Sequence, residues 1–163
     1  MLAAGGLVAL PAWASEWTPD NLPAFVSPFT PAELSMLSSV ADTIIPAGNS
    51  IGALSVGVDK FLEKLFADCY SADVQQSIKT QLSSLDKLTQ IQTGKSFTES
   101  SQKERQQILN GLLNSDKKTE KDFFNLLKSE TIRGFNTSKE VMQKYLNYKV
   151  APGHYFGCVD TTT

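Results

Sequence analysis

Apolar residues return every three or four positions through most of this chain, and the pattern breaks at a few Pro and Gly residues. The first stripe, Leu34, Leu37, Val40, Ala41 and Ile44, predicts a helix. Thr30-Pro31-Ala32-Glu33 supplies its start. A hydroxyl stands at the N-cap, a proline at N1 where its N–H is not missed, and a glutamate at N3 that can reach back to complete a capping box. Pro46 ends this helix just after Ile45. A second helix is predicted over about 58–70, with Phe61, Leu62, Leu65 and Phe66 inward. A third, over 72–93, carries Val74, Ile78, Leu82, Leu85, Leu88 and Ile91 on one stripe, and Gly94 ends it as a C-cap. A fourth starts near Thr98 or Ser100, buries Ile108, Leu109, Leu112 and Leu113, and takes Phe97 as a staple. A fifth is capped by Thr119 with Asp122 three residues on, and turns Phe123, Phe124, Leu126, Leu127 and Ile132 inward. Gly134-Phe135-Asn136 reads as its C-cap. Thr137-Ser138-Lys139-Glu140 reads as the capping box of a short helix through Val141, Met142, Tyr145 and Leu146.

No stretch alternates with period two for long enough to argue a strand, and hairpin-type turn dipeptides are missing. The expected fold is all-α, a single domain of five or six helices. Nothing repeats at a period of about twenty to fifty residues, which argues against a solenoid. At 163 residues the chain can bury a sizeable core without a metal or a disulfide. Its fifteen basic and seventeen acidic residues create no field that would draw it to nucleic acid or to an anionic membrane.

Three regions differ in character. Residues 1–14, MLAAGGLVALPAWA, are apolar and close on Ala12-Trp13-Ala14, a small-residue pair at the spacing that signal peptidase accepts. They read as an export signal remnant, Tat-like in its weakly apolar, Gly-containing run, with no Lys or Arg ahead of it. Residues 15–29 hold Pro19, Pro23 and Pro28 and are expected to run extended, with Trp17, Leu22, Phe25 and Val26 seeking burial either in the domain's own core or in a partner's groove. Residues 30–163 form the helical domain and end in an irregular arm, where Pro152, Gly153 and Gly157 display Tyr148, His154, Tyr155 and Phe156. Aromatic side chains on an arm with little charge resemble the composition of interface cores.

The chemistry-bearing residues are sparse. His154 is the one histidine, and as a general base it has only Asp160, Tyr155 and Cys158 nearby. A zinc site needs three or four ligands, which one His and two distant Cys do not supply without carboxylates. Gly48, Gly52 and Gly57 are too widely spaced for a phosphate cradle and follow no strand. Asp116 with Glu120, and Glu99 with Glu104, sit among lysines and read as solvated helix faces. Cys69 and Cys158 suit an oxidising compartment. Paired with each other they would close a loop of about ninety residues, nominally contributing about 4 to 5 kcal/mol. Cys158 is equally placed to bond another chain, and both thiols can stay free.

Three segments, LSSVADTIIPAG, FLEKLFADCY and TIRGFNTSKEVMQKYLNYKVAPGHYFGCV, resemble the gluconate 2-dehydrogenase subunit 3 family across about 34–159. The resemblance implies the non-catalytic small (gamma) subunit of a periplasmic sugar or glycoside dehydrogenase complex. In such complexes FAD sits in a large subunit of glucose-methanol-choline type, and a cytochrome with haem c often accepts the electrons. It also implies that the small subunit carries the Tat signal and escorts the folded flavoprotein. This chain shows no arginine pair before its apolar run. No catalytic, cofactor-binding or metal residue is carried over. The candidate partner contacts are Trp17, Phe25, Phe135, Tyr148, Pro152, His154, Tyr155, Phe156 and Cys158. The alternative is a free-standing periplasmic helical domain that binds a small ligand between its helices.

Overall fold

The structure is a computed structural model that describes residues 25–151 and 153. Among the described residues there are six α-helices and no strand: α1 (Pro31–Ile44), α2 (Val58–Asp68), α3 (Ala72–Thr93), α4 (Gln102–Leu113), α5 (Lys118–Asn136) and α6 (Lys139–Lys144). A single 3-10 turn, Leu54–Val56, leads into α2.

The helix starts follow from side-chain chemistry. At α1 the Glu33 N–H donates to Thr30 Oγ1 at 3.3 Å, while Glu33 Oε2 accepts from the Thr30 N–H at 2.7 Å. The same reciprocal box opens α4 between Ser101 and Glu104, one residue later than the sequence suggests. Phe97 is fully buried in the preceding loop, and its N–H donates to Asp86 Oδ1 at 2.9 Å, which ties that loop to α3. Gly94 ends α3 at φ +73°, a left-handed position that favours glycine.

Helix α1 sits at the centre of the bundle and packs against α2, α3, α4 and α5. Its Leu37, Val40 and Ala41 are at most 1% exposed and meet Leu62 and Phe66 of α2, Ile78, Leu82 and Leu85 of α3, Leu109 of α4 and Leu127 of α5 in one core. Each such Leu or Phe contributes about 1.5 to 3 kcal/mol over its exposed state. The C-terminal end of α1 is closed by α4. Gln102 Nε2 donates to the carbonyls of Asp42 and Thr43 at 3.4 and 3.3 Å, and Arg105 Nη2 donates to Asp42 Oδ2 at 2.9 Å. Carbonyls that the helix itself leaves without partners are thereby satisfied.

Several expected positions move. Ile91 is 83% exposed, because it lies about 120° round α3 from Leu85. The buried stripe is Ile78, Leu82, Leu85 and Thr89, with the Thr89 hydroxyl donating to the Leu85 carbonyl at 2.7 Å. On α5 the stripe continues from Leu127 to Thr131 and Gly134, leaving Ile132 exposed, and Leu113 is likewise exposed at the end of α4. Helix α2 stops at Asp68 with Cys69 as its C-cap. Helix α5 starts at Lys118, and its N-cap is Lys117 without a side-chain cap, so Thr119 falls inside the first turn. The N-cap of α6 is Ser138, whose Oγ accepts from the Val141 N–H, in place of a Thr137 box. The Gly134 C-cap is also corrected: α5 runs on through Asn136.

Candidate functional site

Gly134 is placed by the ring of Phe61 on α2. A Cβ at position 134 would meet Phe61 Cδ1 at 2.5 Å, so only glycine lets α5 lie this close to α2. One turn earlier on α5 stands Glu130, 8% exposed. Its Oε1 accepts the Tyr70 hydroxyl at 3.0 Å, and its Oε2 lies 2.8 Å from Arg133 Nη2. Burial, together with the hydrogen bond to the Glu130 carboxylate, holds the Tyr70 phenol above its ordinary value of 10.0. Tyr70 also stacks edge-on against Phe66, with centroids 5.3 Å apart. The Arg133 guanidinium rests 5.9 Å from the Phe61 ring centroid, while its side chain stays 52% exposed. Glu130, Arg133 and Gly134 therefore belong to one joint, in which α5 is locked onto α2 and a cation is left facing solvent.

Beyond the joint, α5 passes through Thr137 into α6, and the chain doubles back. The Leu146 N–H donates to the Val141 carbonyl at 3.1 Å and the Tyr148 N–H to that of Met142 at 2.9 Å. Asn147 makes this possible with φ +50°, a left-handed value that Asn tolerates better than most residues. The turn leaves Tyr145, Leu146 and Tyr148 between 52% and 58% exposed and Val150 at 89%. Ile132 of α5 is exposed as well. Large apolar surface of this kind marks interaction sites.

The nominated contacts fare differently. Tyr148 is exposed in this cluster, whereas Phe135 is half-buried and packs against the core. Phe25 lies at the start of the described chain with the Lys64 ammonium 5.9 Å from its ring centroid, away from the cluster in sequence. Phe29, a few residues on, is buried against Phe66 and under Lys79. Cys69 is exposed at the end of α2. Trp17, Pro152, His154, Tyr155, Phe156 and Cys158 lie outside the described residues, as does the proposed pairing of Cys158. Sequence reasoning missed Tyr70, Glu130 and Arg133 as members of one joint. The available signal was a glycine inside an otherwise good helical pattern, which points to a close approach.

A cleft of about 400 Å³ lies where α3 faces α4 and α5, lined by Leu85, Leu88, Ile91, Leu112 and Phe123 together with Lys117 and Glu120. The carboxylates nominated as solvated faces act in local order. Hydrogen bonds from Ser96 and Ser101 hold Glu99 and Glu104 below their ordinary value of 4.5, and those from Ser115 and Lys117 do the same for Glu120. Among the described residues no three His, Cys, Asp or Glu side chains gather as metal ligands, and no helix is long and apolar enough to cross a membrane.

A family model described as Gluconate 2-dehydrogenase subunit 3 matches residues 31–153, from the first residue of α1 past the end of α6. No curated protein and no solved structure matches the chain.

Proposed function

The chain belongs to the gluconate 2-dehydrogenase subunit 3 family, and from that membership we propose that it is the non-catalytic small subunit of a periplasmic, FAD-dependent sugar or glycoside dehydrogenase complex. In this reading the flavin and the reacting sugar belong to a larger partner subunit, and a cytochrome carrying haem c is a possible third. This chain supports the folding, stability and Tat-dependent export of the flavoprotein.

The observation that carries the proposal is the exposed cluster of Tyr145, Leu146, Tyr148 and Val150, inside the family-matched range and held in shape by a hydrogen-bonded turn. Apolar side chains fixed in place without cover of their own suit a permanent partner. Purification through a tag on this chain, from its native cells, is expected to bring down a flavin-containing subunit with dye-reducing sugar dehydrogenase activity. A flavoprotein that is exported, soluble and fully active in cells lacking this chain would overturn the proposal.

The cleft between α3, α4 and α5 supports a second reading, a helical domain that binds a small apolar ligand, since its volume of about 400 Å³ falls in the range of ligand pockets. A screen of sugars and small lipophiles by thermal shift on the isolated chain tests it. A monomer that gains stability with one such compound, and has no protein partner, would favour this reading over the first.

A further inference from the structure

Two concavities meet along α3. The cleft against α4 and α5, lined by Leu85, Leu88, Ile91, Leu112 and Phe123, also takes in Ser84 and Lys87. A hollow of about 340 Å³ follows the adjacent stripe of the same helix, lined by Lys79, Thr80, Ser83, Ser84 and Lys87, with Glu33 from α1. Ser84 and Lys87 line both. An apolar trough thus continues into a polar one, and each has a volume in the range of small-ligand pockets.

The polar hollow carries more positive than negative charge. Its lining holds two lysines and one carboxylate, and Glu33 Oε2 already accepts from the N–H and the hydroxyl of Thr30 at 2.7 and 2.9 Å. Among the described residues neither Lys79 nor Lys87 has an ion-pair partner. Lys79 is steadied with its Nζ 5.6 Å from the Phe29 ring centroid. The hydroxyl protons beside these cations are committed, since Thr80 Oγ1 donates to the Gln76 carbonyl at 2.9 Å and Ser84 Oγ to the Thr80 carbonyl at 3.0 Å. What those oxygens still offer is acceptance. In the apolar cleft Lys117 is neutralised by Glu120 at 2.9 Å, which leaves Lys87 as its unpaired cation among the described residues.

We propose that the joined concavities bind a single-chain amphiphile with an anionic, hydroxyl-bearing headgroup, the chemistry of a lysophosphatidylglycerol. The phosphate is placed at Lys87 in the field of Lys79, the headgroup hydroxyls donate toward Ser84 and Thr80, and the acyl chain covers Leu85, Leu88, Ile91 and Phe123. The proposal rests on the reading of the cleft as a ligand site and names the class of ligand. A lipid monomer suits it better than a bilayer surface, because a chain of net charge −2 has no general attraction to an anionic membrane.

The test is calorimetric titration of the full chain with lauroyl-lysophosphatidylglycerol, kept below the concentration at which it forms micelles. Binding is expected at one site, weakened by salt, and tightened by up to about fourfold for each methylene added to the acyl chain until the cleft is filled. Monolauroyl glycerol, with the same tail and no phosphate, should bind about tenfold more weakly or less. Lys87→Gln should weaken the lysophospholipid by about tenfold and leave monolauroyl glycerol unchanged. Ser84→Trp, which fills the junction, should abolish binding of both lipids. Both substituted positions are exposed, so the fold should hold, and circular dichroism checks it. If Ser84→Trp does not fold, Lys87→Gln decides the matter. Equal affinity for the two lipids, untouched by Lys87→Gln, would overturn the anionic class and leave the cleft as an apolar ligand site. Absence of binding by either lipid, together with no thermal shift from any lipophile, would overturn both. Attachment only to vesicles of intact phosphatidylglycerol, with no uptake of the monomer, would make a bilayer the occupant and overturn the proposal.

Discussion

The ring of Phe61 on α2 occupies the space that a side chain at position 134 on α5 would need, with Phe61 Cδ1 2.5 Å from an ideal Cβ on Gly134. The two helices can approach this closely only because residue 134 has no side chain. Gly134→Ala should therefore destabilise the fold by about 1 to 3 kcal/mol, the usual cost of overpacking, even though alanine is the better helix former. Phe61→Leu combined with Gly134→Ala should recover part of the loss, and urea titration of the single and double variants measures the coupling.

Tyr70 gives the fold an alkaline signature. Its phenol is held above 10.0 in the folded state, so the neutral form is favoured there relative to the unfolded chain. Stability from this group is fully present below pH 10 and is lost as the pH rises through the raised folded value. Absorbance titration should show one tyrosine that ionises late in the wild type and is missing from Tyr70→Phe. That variant also leaves Glu130 Oε1 without its donor, and is expected to cost about 1 to 3 kcal/mol at neutral pH, measured by denaturant unfolding.

Acid acts at the other pole. Glu104 and Glu99 are held below 4.5 by hydrogen bonds from Ser101 and Ser96, and Glu120 by those from Ser115 and Lys117. Their contribution is present above pH 4.5 and fades as the pH falls through their lowered folded values. Ser101→Ala should cost about 1 kcal/mol at pH 7 through loss of the α4 N-cap. It should also make the decline in melting temperature below pH 4.5 shallower than in the wild type.

Leu85 and Ile91 lie on the same helix and should respond in opposite ways. Leu85→Ala opens a cavity in the core and is expected to cost about 2 to 5 kcal/mol. Ile91→Lys replaces a side chain 83% exposed and should change stability by no more than about 0.5 kcal/mol. Chemical denaturation of both variants checks the pair.

The helical class, the bounds of α3 and the start of α1 were legible in the sequence because short-range rules decide them: caps, Pro and Gly, and the 3.6-residue repeat. The phase of each stripe was less so. Apolarity alone assigned Ile91 and Ile132 to the core, but helix geometry buries Thr89 and Thr131 in their place. Gly134 was misread as a helix end because its reason is a ring from a helix more than sixty residues earlier in sequence, and no local rule reports that contact. The candidate site was legible only in part. Tyr148 was nominated from its arm, whereas Arg133 emerges only once Tyr70, Glu130 and Phe61 are brought together in space.

Among the described helices α1 comes first in the chain, yet every helix that encloses it comes later. Its walls come from α2, α3, α4 and α5, and its final carbonyls are closed by Gln102. No stable half-domain can form around it while later helices are still being made, because its apolar stripe has too little to bury against. The core closes around α1 only once α5 has been made.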